Sequence, residues 1–280
     1  MGARGAGMSL PRRSDLAHHW SLDPETVFLN HGSFGATPIG VLEEQGRIRS
    51  SLESDPVRFF EREYSDSWDE SRASVARMLN ADVDGLTFVS NATQGVNTVL
   101  RSLDLKPGDE IIVPDHSYQA CWNAVDYVTQ RSGAKTIVVE IPFRLDGPEQ
   151  VIDLIMGAVT ESTVLALIDT VTSPTGTRMP FEELTQRLQA RGVDVLLDAA
   201  HGPGIVPIDL GRLAPAYCAG NCHKWVCSPK GSAFLHIRED RKDLIHPLNI
   251  SHGFSFEGTA QEKFEFEFAW PGTQDPTPWL

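Results

Sequence analysis

Cysteine is scarce: Cys121, Cys218, Cys222 and Cys227 are the only four in a chain of 280 residues. So few cannot form the disulfide framework that small secreted domains use to reinforce thin cores, and the scarcity points to a reducing, cytoplasmic compartment. Basic residues are also under-supplied, with 24 Lys and Arg against 38 Asp and Glu and a formal charge of −14. A nucleic-acid or anionic-membrane partner needs a basic surface to replace released counterions, so neither is expected. No apolar run approaches the roughly 18 residues of a membrane span, and Arg4, Arg12 and Arg13 precede no apolar segment of signal-peptide type. Two nucleotide-binding signatures are missing as well: no Gly-x-Gly-x-x-Gly follows a strand, and no Gly-x-x-x-x-Gly-Lys-Ser/Thr occurs.

What is present is enough for a sizeable core, at 41% hydrophobic and 22% charged residues. The length suits one large domain plus a fragment. From residue 86 onward, apolar β-branched runs predict strands at Leu86–Val89, Glu110–Val113, Lys135–Glu140, Val164–Asp169, Asp194–Ala199, Ala216–Ala219 and Ser232–Ile237. Amphipathic stretches between them predict helices at Gln94–Leu103, Gln119–Arg131, Glu149–Val159 and Phe181–Arg191. Such alternation means an α/β fold, a parallel or mixed sheet covered on both faces. Residues 1–19 are expected to be a disordered tail, 20–255 a large domain, and 256–280 the start of a connection to a smaller C-terminal domain that this chain lacks. Phe264-Glu-Phe-Glu-Phe268 alternates strictly and predicts a half-buried strand, an aggregation-prone edge if left uncovered.

Ligands of open α/β sheets bind outside the carboxyl ends of the strands, where this chain is rich in polar residues. Asn91-Ala-Thr-Gln-Gly95, Asp115-His-Ser-Tyr118, Thr170-Val-Thr-Ser-Pro-Thr-Gly176, Asp198-Ala-Ala-His201 and Asn221-Cys-His-Lys224 each follow a predicted strand. A strand-end aspartate, a lysine after the next strand and a helix N-terminus near the first strand match the needs of pyridoxal phosphate. That cofactor takes a lysine for an imine, a carboxylate to keep its ring nitrogen protonated, and amide donors for its phosphate. Cys218, Cys222 and Cys227 read as small buried hydrophobes, because zinc spacing would demand a second pair elsewhere. No metal is expected.

The chain resembles the class V aminotransferase superfamily of fold type I, within it the isopenicillin N epimerase-like branch. The resemblance rests on six motifs in the family's order: Phe28-Leu-Asn-His-Gly-Ser-Phe-Gly35, Asn91-Ala-Thr-Gln-Gly-Val-Asn97, Thr172-Ser-Pro-Thr-Gly176, Asp198-Ala-Ala-His201, His223-Lys-Trp225 with Pro229-Lys-Gly231, and Gly272-Thr-Gln-Asp275. It implies a large domain built on a mostly parallel mixed sheet of about seven strands, helices on both faces, with the small C-terminal domain missing. It implies an enzyme acting on an amino acid through a Cα carbanion, epimerase- or aminotransferase-like. A C–S lyase or cysteine desulfurase-like enzyme, and a truncated, non-catalytic chain, are the alternatives.

Residue by residue, the resemblance makes Lys224 the Schiff-base lysine, Asp198 the partner of the pyridinium nitrogen and His201 the donor to the cofactor's phenolate oxygen. Ser173 stands where many relatives carry Asn at that oxygen. Ala92, Thr93, Asn221 and His223 converge on the phosphate, and Thr273 would reach it across a homodimer interface. Tyr118 or His116 would stack on the ring, with Tyr118 favoured. Asn30 and His31 are candidates for the substrate side, and Arg58, or Arg62 close by, for a bidentate grip on a substrate carboxylate.

Overall fold

The computed structural model describes residues 12–280. Residues 1–11, the larger part of the expected tail, lie outside the described residues; in the remainder of it, Ala17–His19 form a turn of 3-10 helix. Helices α1 (Ile39–Ser54), α2 (Pro56–Arg58) and α3 (Tyr64–Leu79) come first, with a π-helical turn at Phe59–Glu63 between the last two. Strands and helices then alternate through β1 (Leu86–Val89), α4 (Ala92–Ser102), β2 (Glu110–Pro114), α5 (Gln119–Ser132), β3 (Lys135–Val139), α6 (Pro148–Gly157) and β4 (Thr163–Asp169). They continue with α7 (Phe181–Ala190), β5 (Asp194–Ala199), α8 (Leu210–Leu213), β6 (Tyr217–Asn221), β7 (Ala233–Ile237) and a last helix, α9 (Ala260–Ala269).

The seven strands form one sheet in the order β1-β7-β6-β5-β4-β2-β3. Only β7 runs antiparallel to its neighbours, β1 and β6. The central strands read as continuous apolar runs because helices cover both of their faces. Leu165–Ile168 of β4 and Val195–Leu197 of β5 are almost completely buried. On one face, Ile152 and Ile155 of α6 pack with Phe181, Leu184 and Leu188 of α7; on the other, Val96, Val99 and Leu100 of α4 pack with Val125 of α5. A third cluster joins Phe59, Tyr64 and Trp68 to Phe88 of β1, with Trp279 stacked on Phe88. Among the described residues, no helix is long and apolar enough to cross a membrane.

The segment expected to be a strand, Phe264–Phe268, is instead the C-terminal half of α9. Alternation over five residues satisfies a helix as well, since Phe264 and Phe268 are four apart and share one face. The start signal decides. Thr259 accepts from the Glu262 amide while the Glu262 carboxylate accepts from the Thr259 amide, a reciprocal cap. Both phenylalanines are buried against the α4–α5 face of the sheet, so there is no exposed edge in this segment. Two buried cations fasten the helix: Arg72, which donates to Leu86 O and Val83 O, also reaches Glu265, and Lys242 donates to Gln261.

Candidate active site

Parallel strands β4, β5 and β6 end side by side, and the chemistry-bearing residues leave the sheet there. Asp198 is the penultimate residue of β5 and is buried; its Oδ1 accepts from the Ala200 amide at 2.9 Å and its Oδ2 from the Cys121 thiol at 3.2 Å. In-register pairing places Asp169 of β4 beside it, equally buried and taking a hydrogen bond from Ser117. Burial, then the neighbouring Asp198 charge, pushes the Asp169 carboxyl well above the usual range. Burial raises Asp198 too, opposed by the Ala200 amide, by Cys121 and, least, by Lys224 whenever that amine carries a proton. Of the two carboxyls, Asp198 is the one that faces the Lys224 amine.

Lys224 sits in the turn after β6, its Nζ 3.0 Å from Nε2 of His201. Burial holds the amine below the ordinary lysine value, with Asp198 pulling the other way. His201 is lowered to about 4 by burial and by Lys224, so it is a neutral imidazole near pH 7. On its far side Nδ1 accepts from the indole N–H of Trp225 at 3.4 Å. These groups open onto a cavity of about 460 Å³ whose rim includes Asn30, Phe34, Tyr118, Ser173 and Ile205.

The expected phosphate corner is arranged differently from the expectation. Asn221 does not offer its oxygen to a ligand: Oδ1 accepts from the Ala92 amide at 2.8 Å, while Asn91 caps the Gln94 amide. The Ala92 donor is therefore taken. The Thr93 amide, unpaired by its place in the first helical turn, remains beside the Thr93 hydroxyl. His223 turns Nδ1 to Ser232 O at 3.1 Å, which leaves Nε2 free to face outward.

The two aromatic candidates separate. Tyr118 lines the cavity, whereas His116 packs away with Nδ1 on Thr175 Oγ1 at 3.2 Å. Asn30 is at the rim, folded onto Ser33. His31 lies behind it, its ring among Trp20, Phe28 and Trp225 and its Nδ1 accepting from the Ala36 amide. Arg58 is held by Glu63 at 3.1 Å, and neither it nor Arg62 lines the cavity, so the structure does not bring the expected guanidinium to the substrate side. Thr273 is exposed on the 270–280 segment and is not part of this cavity. Cys218 and Cys222 are buried, and Cys227 is half-buried with a left-handed φ of 63°.

The loop that carries Asn30 is pressed onto the lysine turn. A Cβ at Gly35, where φ is +68°, would stand 1.9 Å from His223 O. Only glycine permits that approach. Sequence reasoning missed three residues: Asp169, Cys121 and Trp225. The first had a visible signal, since β4 ends in Asp169 and β5 carries Asp198 one residue before its end, and the register of these parallel neighbours pairs the two.

The class-V aminotransferase family model matches residues 48–269. The chain belongs to the class-V aminotransferase family. Among the relatives of this family member, the isopenicillin N epimerase of Streptomyces clavuligerus is 31% identical over 272 residues, covering 92% of this chain and 68% of the epimerase. A probable chloroplastic L-cysteine desulfhydrase of Arabidopsis thaliana is 32% identical over 281 residues, covering 94% of this chain and 57% of the plant protein. The cystine C–S lyase C-DES, solved with its product cysteine persulfide, shares the fold at a TM-score of 0.74 and 22% identity over 88% of this chain and 71% of its own. The family's cofactor is pyridoxal 5'-phosphate. The donor set here fits it: a buried carboxylate faces an amine that lines a cavity, and the α4 N-terminus lies beside Asn221 of the same strand that leads to the lysine.

Proposed function

We propose that this chain holds pyridoxal phosphate at Lys224 and acts on an amino acid by moving the proton at its Cα. The observation that carries the reading is the pairing of two features: Lys224 faces the buried Asp198 of the adjacent strand, and with His201 and Tyr118 it lines one cavity. When bound, pyridoxal phosphate supplies an aldehyde for an amine and a cationic ring that accepts electron density from Cα. Asp198 would set its carboxylate against the ring nitrogen, and that cation would offset the burial that raises the carboxyl. His201 would give its Nε2 proton to the phenolate oxygen, with Ser173 close by. Thr93, the Asn221 amide nitrogen and His223 would hold the phosphate, and Tyr118 would cover the ring face.

Lys224, freed by an incoming substrate amine, would be the base at Cα; burial lowers its pKa, the direction that favours the neutral form able to accept a proton. Epimerisation and sulfur elimination both begin with that proton, so the relatives named isopenicillin N epimerase and L-cysteine desulfhydrase support the same first step. The likeness to a desulfhydrase makes release of sulfur from a cysteine-type substrate the second reading. Borohydride treatment of the cofactor-loaded protein should fix the cofactor to the peptide carrying Lys224. Label on another lysine, or on none, would remove the central assignment. Exchange of the Cα hydrogen of L-cysteine and of other amino acids with deuterium tests the proton step; Asp198→Asn should slow it by about 100-fold or more. Cofactor binding without any exchange would leave a non-catalytic chain.

A further inference from the structure

The contacts of His201 admit only one arrangement of protons. An indole nitrogen can donate and never accept, so the Trp225 contact makes Nδ1 of His201 the acceptor. An imidazolium has no lone pair on either nitrogen, so a ring whose Nδ1 accepts is neutral and carries its single N–H on Nε2. Nε2 faces Lys224 Nζ at 3.0 Å. A protonated ammonium has no lone pair to receive that hydrogen; an uncharged amine does. The reverse arrangement, with an ammonium donating to Nε2, would turn the Nδ1 proton against the indole proton. Backbone closes the joint between the two rings: a Cβ at Gly32 would come within 3.0 Å of Trp225 Cζ2 and 3.3 Å of His201 Nδ1.

We propose that Trp225 is a positioning residue whose indole N–H fixes the tautomer of His201 and thereby holds Lys224 as an uncharged amine. The other groups that face Lys224 are Asp198 of β5 and Cys121 of α5, which favour the ammonium, while His223 and Lys230 lie along its own loop. Trp225 therefore works against the carboxylate. An ordinary lysine is uncharged in fewer than about one molecule in a thousand at pH 7, and only the uncharged form attacks a carbonyl carbon. The same Nε2–H is the donor that a phenolate oxygen would need, so one tautomer prepares both roles. Uncharged Lys224 matters only where Lys224 is the anchoring amine, so the role of Trp225 rests on that reading.

The test uses cofactor-free protein labelled with a trace of acetic anhydride across a pH series, with acetylation of each lysine read by peptide mass spectrometry. Lys224 should label with a midpoint below those of the exposed Lys106 and Lys135. In Trp225→Phe, which keeps an aromatic ring and loses the donor, the midpoint should rise by about one pH unit, the worth of one hydrogen bond, and labelling at pH 7.5 should fall roughly tenfold. An unchanged midpoint overturns the proposal, as does labelling that increases at every pH, which would mean a loosened loop. Nitrogen-15 NMR of the histidines in unaltered protein gives a second reading that no variant can spoil: His201 should carry its proton on Nε2, and a proton on Nδ1 overturns the proposal. If borohydride trapping chose another lysine while the Trp225→Phe midpoint still moved, the cofactor assignment would fail and the proton arrangement would stand.

Discussion

A buried imidazole has a cost that depends on pH. His236 of β7 is only 6% exposed, and burial lowers it to about 4 from an ordinary 6.5. Between those values the unfolded chain takes up a proton that the folded chain refuses, so stability is full above about pH 6.5 and declines as the pH falls towards 4. The site accounts for on the order of 3 kcal/mol over the whole interval. His201 adds to the decline in the same direction. Guanidinium melts at pH 7 and pH 4.5 should show a loss that His236→Leu partly removes; a loss unchanged in that variant would place the acid sensitivity elsewhere. The convergence of Lys224, Asp198 and His201 was legible in the sequence because strand ends of a parallel sheet lie side by side. The hydrogen bond from Trp225 to His201 was not, because it joins side chains 24 residues apart, and neither was the capture of the Ala92 amide by Asn221, which joins the start of α4 to the end of β6.

The elements that the sequence shows most clearly are those whose residues have only one environment. Asp194–Ala199 and Leu86–Val89 agree with the structure residue for residue, since runs of four to six residues between turns are long enough for a buried strand and too short for a buried helix. Helix α9 was misread because five alternating residues suit two periods, and the deciding cap lay outside the run. That helix should be a strong contributor to stability. Phe264→Ala should cost about 3 kcal/mol or more through the cavity left on the sheet face, and Thr259→Ala about 1 kcal/mol through the lost cap. Denaturant titrations of both variants check this; a Phe264→Ala variant as stable as the parent would mean that α9 does not pack on the core in solution.

The whole molecule presents apolar groups around the mouth of its cavity: Phe34 is 76% exposed, Ile205 47% and Tyr118 45%. Exposed patches of that kind around a site mark an interaction surface. A two-fold homodimer would cover them and could bring the exposed Thr273 of one chain to the phosphate corner of the other. Sedimentation should therefore show dimers, and Thr273→Ala should weaken cofactor binding. Monomers carrying a full complement of cofactor would contradict both.

Time is the remaining dimension of the strap that Gly35 permits over the lysine turn. The Thr37 hydroxyl donates to Ser228 O across 191 residues of chain, so this closure belongs to the slowest class of contact to form. Strands and helices can be complete while the lysine turn is still uncovered. On dilution from denaturant, the far-ultraviolet circular dichroism should recover first and the visible band of captured cofactor should follow after a lag; simultaneous recovery would show that the strap closes with the sheet. Binding competence would then be acquired last in the life of each newly made chain, after its shape and before its chemistry.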